Sequence, residues 1–368
     1  MLSFPYVRRA GIRMVLLCSP LVFFSCNKET ETLAQSESAL EQVQKTEALA
    51  ATSISATGVS YNYLARNAAE LQNALKYAKA GQVIYIPSNV NIDVTNERIL
   101  YLNAGVTITS DRGLKTSTGA LSTGGSIFIK NAGHPPRISV KGNDVKVLRI
   151  RILGPDTLEQ KALVNSLNSQ GRLGELKASR GIDCAYSNLT IDNSEFAGWT
   201  HAAIYFTPGA KKGRVTNNYI HHNRRWLTGY GVNFNGGEGL VAYNIFDKNR
   251  HAIAGWGVPG TSYEAAYNTV ISSTSHGFDM HGGVNRGDGT NIAGTRVYIH
   301  HNTFYNTGQR AIFINGVTQE LMSFQYNKCV QSNDPKTGVY YYPAPNAYNR
   351  YNTFNIVKKP VAVALKSY

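Results

Sequence analysis

Short apolar segments rich in β-branched and aromatic residues recur through the second half of the chain, separated by turns rich in Gly and Asn. Each segment carries an Asn, and successive Asn residues lie 25, 26, 24, 34 and 25 positions apart. Strand-like segments at this interval, with no helical pattern between them, predict a solenoid in which each repeat forms one coil. Stacked Asn side chains hydrogen-bond between coils, so we assign them a structural role. They are Asn193, Asn218, Asn244, Asn268, Asn302 and Asn327.

A helical pattern precedes the first coils. Apolar residues recur at near-helical spacing over residues 66–80, and Gly81 ends the pattern. A strand of the buried type follows and closes at Pro87. Because the first coil of a solenoid would otherwise expose its core, we expect this helix to cap it.

The strand VIYIP after this helix, together with the Asn-centred coils, resembles the pectate-lyase-like superfamily over roughly residues 61–330. The resemblance implies an all-β fold, a right-handed parallel β-helix with an N-terminal capping helix, which we assign to residues 61–368. It does not imply one reaction, because this architecture hosts lyases, hydrolases, epimerases and adhesins.

The N-terminus has the pattern of an export signal. Three arginines precede a short apolar run that ends in a small residue and Cys26. We predict a signal peptide over residues 1–25, and LVFFSC resembles a bacterial lipobox, which implies lipidation of Cys26. Residues 26–60 are polar and read as a flexible tether. We therefore expect an exported protein, lipid-anchored to the outer membrane and exposed at the cell surface; an ordinary signal peptide is the alternative.

The net charge of the chain indicates which class of partner it binds. Among 368 residues, 37 Lys and Arg stand against 23 Asp and Glu, a formal net charge of +14. Such an excess attracts polyanions. The sequence has no basic helix, finger or aromatic RNA motif, so an anionic polysaccharide is the expected partner rather than nucleic acid. A surface that is basic only for solubility is the alternative. We expect a monomer.

The phrases that follow the Asn turns align into columns: HAAIYF, YGVNFN, HAIAGW, HGFDMH and RAIFIN. We expect the first column to face outward on one side of the coil, since alternate strand residues face opposite sides. That column contains His201, Tyr230, His251, His276 and Arg310. Strict alternation would place other polar residues of these phrases in the core, so we expect a turn or bulge within the phrase to bring them out. These residues are Asn233, Asn235, Trp256, Asp279 and His281.

Imidazole, phenol and guanidinium groups in one column predict β-elimination on a uronic-acid polymer. The reaction needs a cation on the sugar carboxylate, a base for the neighbouring C–H and an acid for the leaving oxygen. The candidate catalytic residues are His251, His276, Tyr230, Arg310 and Arg250. The candidate substrate-binding residues are Asn233, Asn235, Trp256, Glu264, Asp279, His281, Arg286 and His201.

Three alternatives remain open. Glycoside hydrolysis would pair Asp279 with Glu264, Asp247 or Asp288. No cofactor is required by the proposal, but a divalent ion, Ca²⁺ or Zn²⁺, is an option, with ligands from His251, His276, Asp279 and His281. A non-catalytic glycan-binding surface would rest on Trp226, Trp256 and Tyr340 to Tyr342. A second set of imidazoles adjoins the Asn turns, and we expect it to have a surface or turn role: His221, His222, His300 and His301.

Overall fold

The computed structural model describes residues 53–133, 137–305, 308–331 and 338–356. The predicted signal peptide, the lipidation site at Cys26 and most of the predicted tether lie outside these residues. The end of the predicted tether contains strand structure: β1 (Ser53–Ile54) and β2 (Ser60–Tyr61) pair antiparallel. Strand pairing is therefore present before the predicted boundary at residue 61.

Thirty strands form three long sheets in which every pair is parallel. Sheet 1 contains β3 (Tyr63–Leu64), β4 (Val83–Tyr85), β7 (Thr107–Thr109), β10 (Lys146–Leu148), β13 (Thr190–Asp192), β16 (Gly213–Thr216), β19 (Glu238–Ala242), β22 (Ser262–Ala266), β25 (Arg296–His300), β28 (Leu321–Gln325) and β31 (Ala347–Arg350). Sheet 2 contains β5 (Asn91–Asp93), β8 (Ser126–Phe128), β11 (Arg151–Leu153), β14 (Glu195–Ala197), β17 (Tyr219–His221), β20 (Ile245–Asp247), β23 (Thr269–Val270), β26 (Thr303–Phe304), β29 (Lys328–Gln331) and β32 (Thr353–Ile356). Sheet 3 contains β6 (Leu100–Leu102), β9 (Ile138–Val140), β12 (Arg180–Cys184), β15 (Ala202–Phe206), β18 (Tyr230–Phe234), β21 (His251–Gly255), β24 (Phe278–Met280), β27 (Ile312–Ile314) and β30 (Val339–Tyr341).

The chain visits the three sheets in the same order in each coil, and each strand pairs with the equivalent strand one coil away. The fold is therefore an all-β right-handed parallel β-helix, as predicted. Its core is made of apolar columns that run along the axis. One such column in sheet 1 is fully buried and consists of Ile191, Val215, Val241, Ala265, Ile299 and Phe324.

The predicted capping helix is present as α1 (Ala68–Tyr77). The Asn67 side chain accepts a hydrogen bond from the Glu70 backbone N–H at 2.9 Å, which satisfies one of the free donors at the helix start. The apolar face of α1 buries Leu71 and Leu75 in the same core cluster as the coils. Two further helices, α2 (Lys161–Ser169) and α3 (Gly283–Arg286), and a 3₁₀ turn at Leu173–Glu175 lie in long connections. Within the described residues no helix has the length and apolarity needed to cross a membrane.

The Asn ladder runs along the turn between sheets 1 and 2. Each ladder side chain accepts a hydrogen bond from the backbone N–H of the equivalent residue one coil earlier, at 2.8 to 3.0 Å. The accepting residues are Asn218, Asn244, Asn268, Asn302, Asn327 and Asn352. The prediction was wrong at one end. Asn193 lies one position before the ladder, with φ 52°, and Ser194 occupies the ladder position.

Candidate active site

The sheet 3 strands depart from simple alternation, and this places the candidate residues outside the core. Ala252 and Ile253 both donate their backbone N–H groups to the carbonyl oxygen of Gly277, at 2.8 and 3.4 Å. The paired registers jump from Tyr230–His251 to Val232–Ile253, so the second residue of each strand is left out of the pairing. Two consecutive residues therefore face the core, and parity is reversed after them. The expected bulge is confirmed.

This bulge separates two outward columns. The first contains Tyr230, His251, His276 and Arg310 in register, as predicted. The second contains Asn233 and Asp279. The predicted place of His201 was wrong by one residue, because Ala202 is the partner of Tyr230. The His201 ring nevertheless lies 5.8 Å from the Tyr230 ring, measured between centroids.

Aromatic rings of the first column stack along the axis. The Tyr230 and His251 rings are 5.6 Å apart and nearly parallel, and the His251 and His276 rings are 5.4 Å apart. His276 then stacks on Phe313 at 4.4 Å, and Phe313 on Tyr340 at 4.6 Å. These spacings follow from the separation of neighbouring strands, about 4.8 Å. Rings from five successive coils thus form one row, in which Phe313 and Tyr340 come from the second column.

Exposure differs along this row. Tyr230 is 6% exposed and His251 is 1% exposed, so the expectation that the whole column is open to solvent was wrong. His251 faces the backbone carbonyl of His276, 3.0 Å from its Nδ1. His276 and Arg310 are only half-buried. A polymer on this face would therefore reach His276 and Arg310, while His251 lies behind them.

A buried carboxylate lies beside these imidazoles. Asp279 is 1% exposed, and its Oδ2 lies 2.8 Å from Nε2 of His281 and 3.9 Å from Nε2 of His251. The His281 contact is short but poorly aligned, and neither Asp279 oxygen accepts a well-formed hydrogen bond from the described residues. The Nδ1 atoms of His276 and His281 are also buried without a hydrogen-bond partner there. A buried polar atom without a partner costs about 1–3 kcal/mol, which makes this cluster unusual for a purely structural feature.

Burial and neighbouring charge determine the ionisation of the cluster. Burial lowers the pKa of His251 to about 3, although the carboxylate of Asp279 opposes the shift. Burial also lowers the pKa of His276, and the guanidinium groups of Arg310 and Arg250 add to this lowering. Burial raises the pKa of Asp279, but the imidazoles of His251 and His281 outweigh it, so that pKa is lowered overall. His276 is thus neutral at neutral pH, in the form that accepts a proton.

The two candidate arginines both act electrostatically on this imidazole, and each packs against an aromatic ring of the same face. Arg250 Nη1 donates to the Tyr230 hydroxyl at 3.3 Å, and its guanidinium lies 5.6 Å from the centre of that ring. The Arg310 guanidinium lies over the rings of Phe313 and Tyr340, at 5.2 and 5.1 Å. Burial raises the pKa of Tyr230, so its hydroxyl keeps its proton. The two cations that the reaction needs therefore lie on the same face as the candidate base and within its electrostatic reach.

A third column marks the ends of the sheet 3 strands and contains Asn235, Trp256 and His281 in equivalent positions. Trp256 is 41% exposed, and its ring lies 5.2 Å from that of His281. Asn235 donates to the Tyr205 hydroxyl at 3.0 Å. Arg286 contacts the backbone of this column rather than solvent, donating to the carbonyl oxygen of Trp256 at 3.1 Å. Its predicted contact with substrate is therefore replaced by a structural one.

Two predicted acidic partners, Glu264 and Asp247, lie on other sheets, and the third, Asp288, lies in the segment after His281 and is held by Arg286. Glu264 is on β22 of sheet 1, where its Oε1 lies 3.1 Å from His300 Nε2. Asp247 is on β20 of sheet 2, and Asp288 pairs with Arg286 at 2.7 Å. The prediction that Glu264 belongs to the site was wrong, because the strand that carries it faces another side of the coil.

Sequence reasoning missed one end of the same face. Arg180 and Asp183 of β12 occupy the first and second columns, one coil before Ala202 and Tyr205. They form a two-point ion pair, with distances of 2.9 and 2.7 Å, and the Arg180 guanidinium lies 4.8 Å from the Tyr205 ring centre. Burial raises the pKa of Asp183 to about 6 against the effect of Arg180. The sequence contained this information, because RGIDC of β12 has the same order of outward and core positions as AAIYF of β15.

The two carboxylates of this face are far apart. Asp183 and Asp279 occupy the same column but are separated by four strand-to-strand steps, through β15, β18 and β21. At about 4.8 Å a step, their separation along the axis is about 19 Å. A pair that flanks one glycosidic bond lies roughly 5–9.5 Å apart. These two residues therefore cannot act together on a single bond.

The predicted metal ligands do not converge. Among the residues that the structure describes, no three His, Cys, Asp or Glu side chains are arranged to hold a metal ion. In the proposed set, His281 and His251 place Nε2 at 2.8 and 3.9 Å from the same oxygen of Asp279, Oδ2, and His276 adds no oxygen or nitrogen contact to it. A depression of about 860 Å³ lies on sheet 1, next to Glu264 and Tyr298, and does not include the imidazole column.

Comparison with known proteins gives the same fold. Residues 178–354 match the family model described as the right handed beta helix region. No curated protein matches the chain. Among solved structures, the chain is similar to the Dettilon tailspike protein, at 13% identity and a TM-score of 0.47, covering 71% of this chain and 46% of that one. It is also similar to a family 28 exopolygalacturonase of Yersinia enterocolitica, at 13% identity and TM-score 0.39, covering 83% and 62%. An alginate lyase of a Paenibacillus species matches at 12% identity and TM-score 0.37, covering 78% and 98%. The chain thus spans about half to two thirds of the first two structures, and the segment matched by the family model coincides with the coils that carry the imidazole column.

Proposed function

We propose that this protein is a polysaccharide lyase that cleaves an anionic, uronic-acid-containing polymer by β-elimination. One observation carries the proposal: the half-buried imidazole of His276 lies on an outward face of the coil, where the charges of Arg310 and Arg250 both act on it and lower its pKa further after burial. A neutral base beside two cations matches what proton removal next to a carboxylate requires. The formal net charge of +14 favours an anionic polymer.

The residues take distinct roles in this reaction. Arg310 and Arg250 neutralise the uronate carboxylate, which makes the adjacent C–H acidic. His276 removes that proton, the electron pair forms the new C=C bond, and the bond to the leaving oxygen breaks. His251 is too deeply buried to touch the polymer. It stacks on the ring of His276 from the neighbouring coil, as a positioning residue.

The leaving oxygen requires a proton donor. Tyr230 keeps its proton because burial raises its pKa, but its hydroxyl is 3.3 Å from the carbonyl oxygen of Leu227 and lies beneath the surface. His281 lies nearer to the surface, beside Trp256. Tyr230→Phe separates these two donors. A loss of about 10²-fold or more in kcat assigns the proton to Tyr230, and retained activity assigns it to His281.

Hydrolysis receives less support from the same geometry. Acid and base carboxylates on one glycosidic bond must lie within roughly 10 Å of one another. On this face the described carboxylates Asp183 and Asp279 are separated by four strand-to-strand steps. Asp288 is held by Arg286, and hydrogen bonds from Thr290 and Arg286 lower its pKa to about 2, so it does not supply the acid. The geometry therefore favours a reaction whose base is an imidazole.

The chemical products test the assignment. The protein is incubated with a panel of uronate polymers, and both new reducing ends and ultraviolet absorbance of an unsaturated uronate are followed. We expect both signals to rise together on at least one polymer. Reducing ends without the absorbance would mean hydrolysis, and binding with neither signal would mean a non-catalytic glycan-binding protein. Either result overturns the lyase assignment.

The proposal includes the location of the protein, which is the outer membrane. Cys26 would carry the lipid that attaches the exported chain to the outer membrane, and the basic solenoid would then meet its polymer outside the cell. Growth with a labelled fatty acid should label the wild-type protein. Cys26→Ser should abolish the label, and a label that persists would contradict the anchor.

A further inference from the structure

One coil of the solenoid is longer than its neighbours, and the extra residues lie against the candidate site. The ladder spacing is 34 residues between Asn268 and Asn302, whereas the other predicted steps are 24 to 26 residues. The additional segment includes α3 (Gly283–Arg286) and follows directly after His281. A regular solenoid tolerates insertions on one face, and such insertions often build a binding site.

The side chain of Arg286 links this insertion to the site. It is 5% exposed although it carries a full charge. Its Nη1 donates to the carbonyl oxygen of Trp256 at 3.1 Å and approaches that of His281 at 3.4 Å. Its Nη2 donates to the carbonyl oxygen of Ile292 at 3.0 Å, and its Nε to Asp288 at 2.7 Å. The planar five-donor fork of Arg suits this set of acceptors, and Lys cannot reproduce it.

The backbone at this corner is packed too tightly for other residues. Gly257 has φ 75°, and a Cβ there would lie 1.7 Å from the His281 carbonyl oxygen. A Cβ on Gly282 would lie 1.6 Å from the carbonyl oxygen of Asn315. Both glycines are therefore required by close backbone approach. Together with Arg286 they fix where the side chains of Trp256 and His281 leave the coil.

The two rings held in this way differ in what they offer a ligand. Trp256 is 41% exposed on this face of the coil. The centre of its ring lies 5.2 Å from that of the His281 ring. His281 in turn contacts Asp279. An exposed indole beside polar groups provides an apolar surface against which the C–H face of a pyranose ring can pack.

We infer that Trp256 is the stacking platform for a sugar ring next to the cleaved bond, and that Arg286 is a positioning residue that holds Trp256 and His281 in place. The inference rests on the proposed function, because it takes the polymer of that reaction as its ligand. It adds a subsite that recognises the pyranose ring itself, independently of the uronate charge. Arg286 takes no part in bond breaking.

The positioning role is tested without any substrate. The chain has three tryptophans, and Trp199 is fully buried. In a Trp226→Phe background, acrylamide quenching of fluorescence therefore reports Trp256. Arg286→Lys should increase the quenching and change the ring-current shift of the His281 ring protons. Arg296→Lys, which alters an exposed pair with Glu320 on sheet 1, is the matched control and should change neither.

The subsite is tested with the polymer cleaved in the panel and with oligouronates obtained by acid hydrolysis of the panel polymers. Trp256→Ala should raise KM about 10-fold with a smaller change in kcat, and Trp256→Phe should recover much of the loss. Arg286→Lys displaces both rings. It should lower kcat about 10-fold or more where Tyr230→Phe has assigned the proton to His281, and should mainly raise KM where Tyr230 is the donor. Direct binding of the oligouronates to a His276→Ala variant should quench Trp256 fluorescence.

The outcomes separate this inference from the proposed function. If no polymer yields unsaturated product, the lyase assignment fails, while quenching by a bound oligouronate still supports the platform. Unchanged quenching and ring-current shift in Arg286→Lys would overturn the positioning role. Unchanged KM in Trp256→Ala, with turnover intact, would overturn the platform. Trp256→Phe keeps the test valid if the Ala variant fails to fold.

Discussion

Two groups of histidines in this protein have the same residue types but different surroundings. The segments 219–223 and 298–302 have the identical sequence Tyr-Ile-His-His-Asn, yet the first lies on sheet 2 and the second on sheet 1. In each, the Nδ1 atoms of the two imidazoles face each other, at 2.7 and 2.9 Å, and the first His places Nε2 against a Glu at 3.3 and 3.1 Å. On the sheet 3 face, by contrast, His276 of the first column and His281 of the third each have a buried Nδ1 without a hydrogen-bond partner among the described residues.

The difference separates structural imidazoles from reactive ones. A ring nitrogen that already shares a proton with a neighbour has no lone pair available to a substrate. The paired histidines also form the turn itself, since His222 and His301 have φ 54° and 55°. His276 and His281, by contrast, lie just before and just after β24, and neither has a positive φ. Local partners, rather than the number of histidines, therefore identify the candidate base.

The sharpest way to break this comparison is to remove one imidazole from each group. His276→Ala should lower kcat by about 10²–10⁴-fold, because it removes the base. His222→Ala should leave kcat within about twofold, since its Nδ1 is engaged by His221 on another face. Initial rates on the polymer cleaved in the panel give both values. Equal losses in the two variants would show that the comparison does not identify the base.

The pH dependence of stability is the second test. The pKa of His251 is about 3 and that of His201 about 4, both because of burial, so each imidazole stays neutral in the folded state where the unfolded chain would protonate it. Stability should therefore fall as pH decreases from about 6, by about 1.4 kcal/mol per pH unit for each group until its folded pKa is reached. Asp183, with a pKa of about 6, opposes this trend, because its contribution is lost as pH rises through that value.

Urea unfolding between pH 7 and pH 4 measures this slope. His251→Gln should make the slope shallower by about one proton, whereas His222→Gln and His301→Gln should change it little. A slope that is unaffected by His251→Gln would contradict the burial of a neutral imidazole at that position.

The fold was predictable because the repeat is explicit in the sequence. One ladder position per coil fixes the turn, and apolar columns such as Ile191 to Phe324 follow from the pairing of equivalent strands. The error at Asn193 arose because Asn occurs at two neighbouring positions of this turn, the left-handed position and the ladder position that follows it. At residues 193–194 the Asn takes the left-handed position and Ser194 takes the ladder position, whereas in the next coil both are Asn, at 217 and 218.

The site was predictable only in part. The first column could be aligned from Tyr230 onward because those phrases share their length. His201 was misplaced, because HAAIYF allows the register with either His201 or Ala202 first, and only the pairing chooses Ala202. Glu264 was assigned by nearness in sequence, although a coil carries residues a few positions apart to different sheets. Burial of His251 depends on its neighbours across coils, which a single sequence does not give.

The Asn that ends each Tyr-Ile-His-His-Asn segment provides the third test. Asn302 accepts from the backbone N–H and the side chain of Asn268, and donates to the carbonyl oxygens of Ala265 and His300 and to Asn327 Oδ1, all at 2.8 to 3.0 Å. Asn302→Ala leaves these buried groups without partners, so we expect a loss of about 1–3 kcal/mol in the free energy of unfolding. Chemical denaturation measures it. Asn193→Ala, outside the ladder, should cost distinctly less, and an equal cost would contradict the ladder register.

The smallest effect is expected from the neighbouring imidazole of the same segment. His301 is exposed, and its ring stacks between those of Tyr267 and Tyr326 at 4.9 and 5.3 Å. His301→Gln keeps a polar side chain at this turn but removes the stacking and the contact with His300, so we expect a loss of at most about 1 kcal/mol and no change in kcat. Denaturation and initial rates test both points. A loss of activity with stability preserved would show that the proton-sharing pair takes part in function. The distinction between paired, structural imidazoles and unpaired, reactive ones would then be wrong.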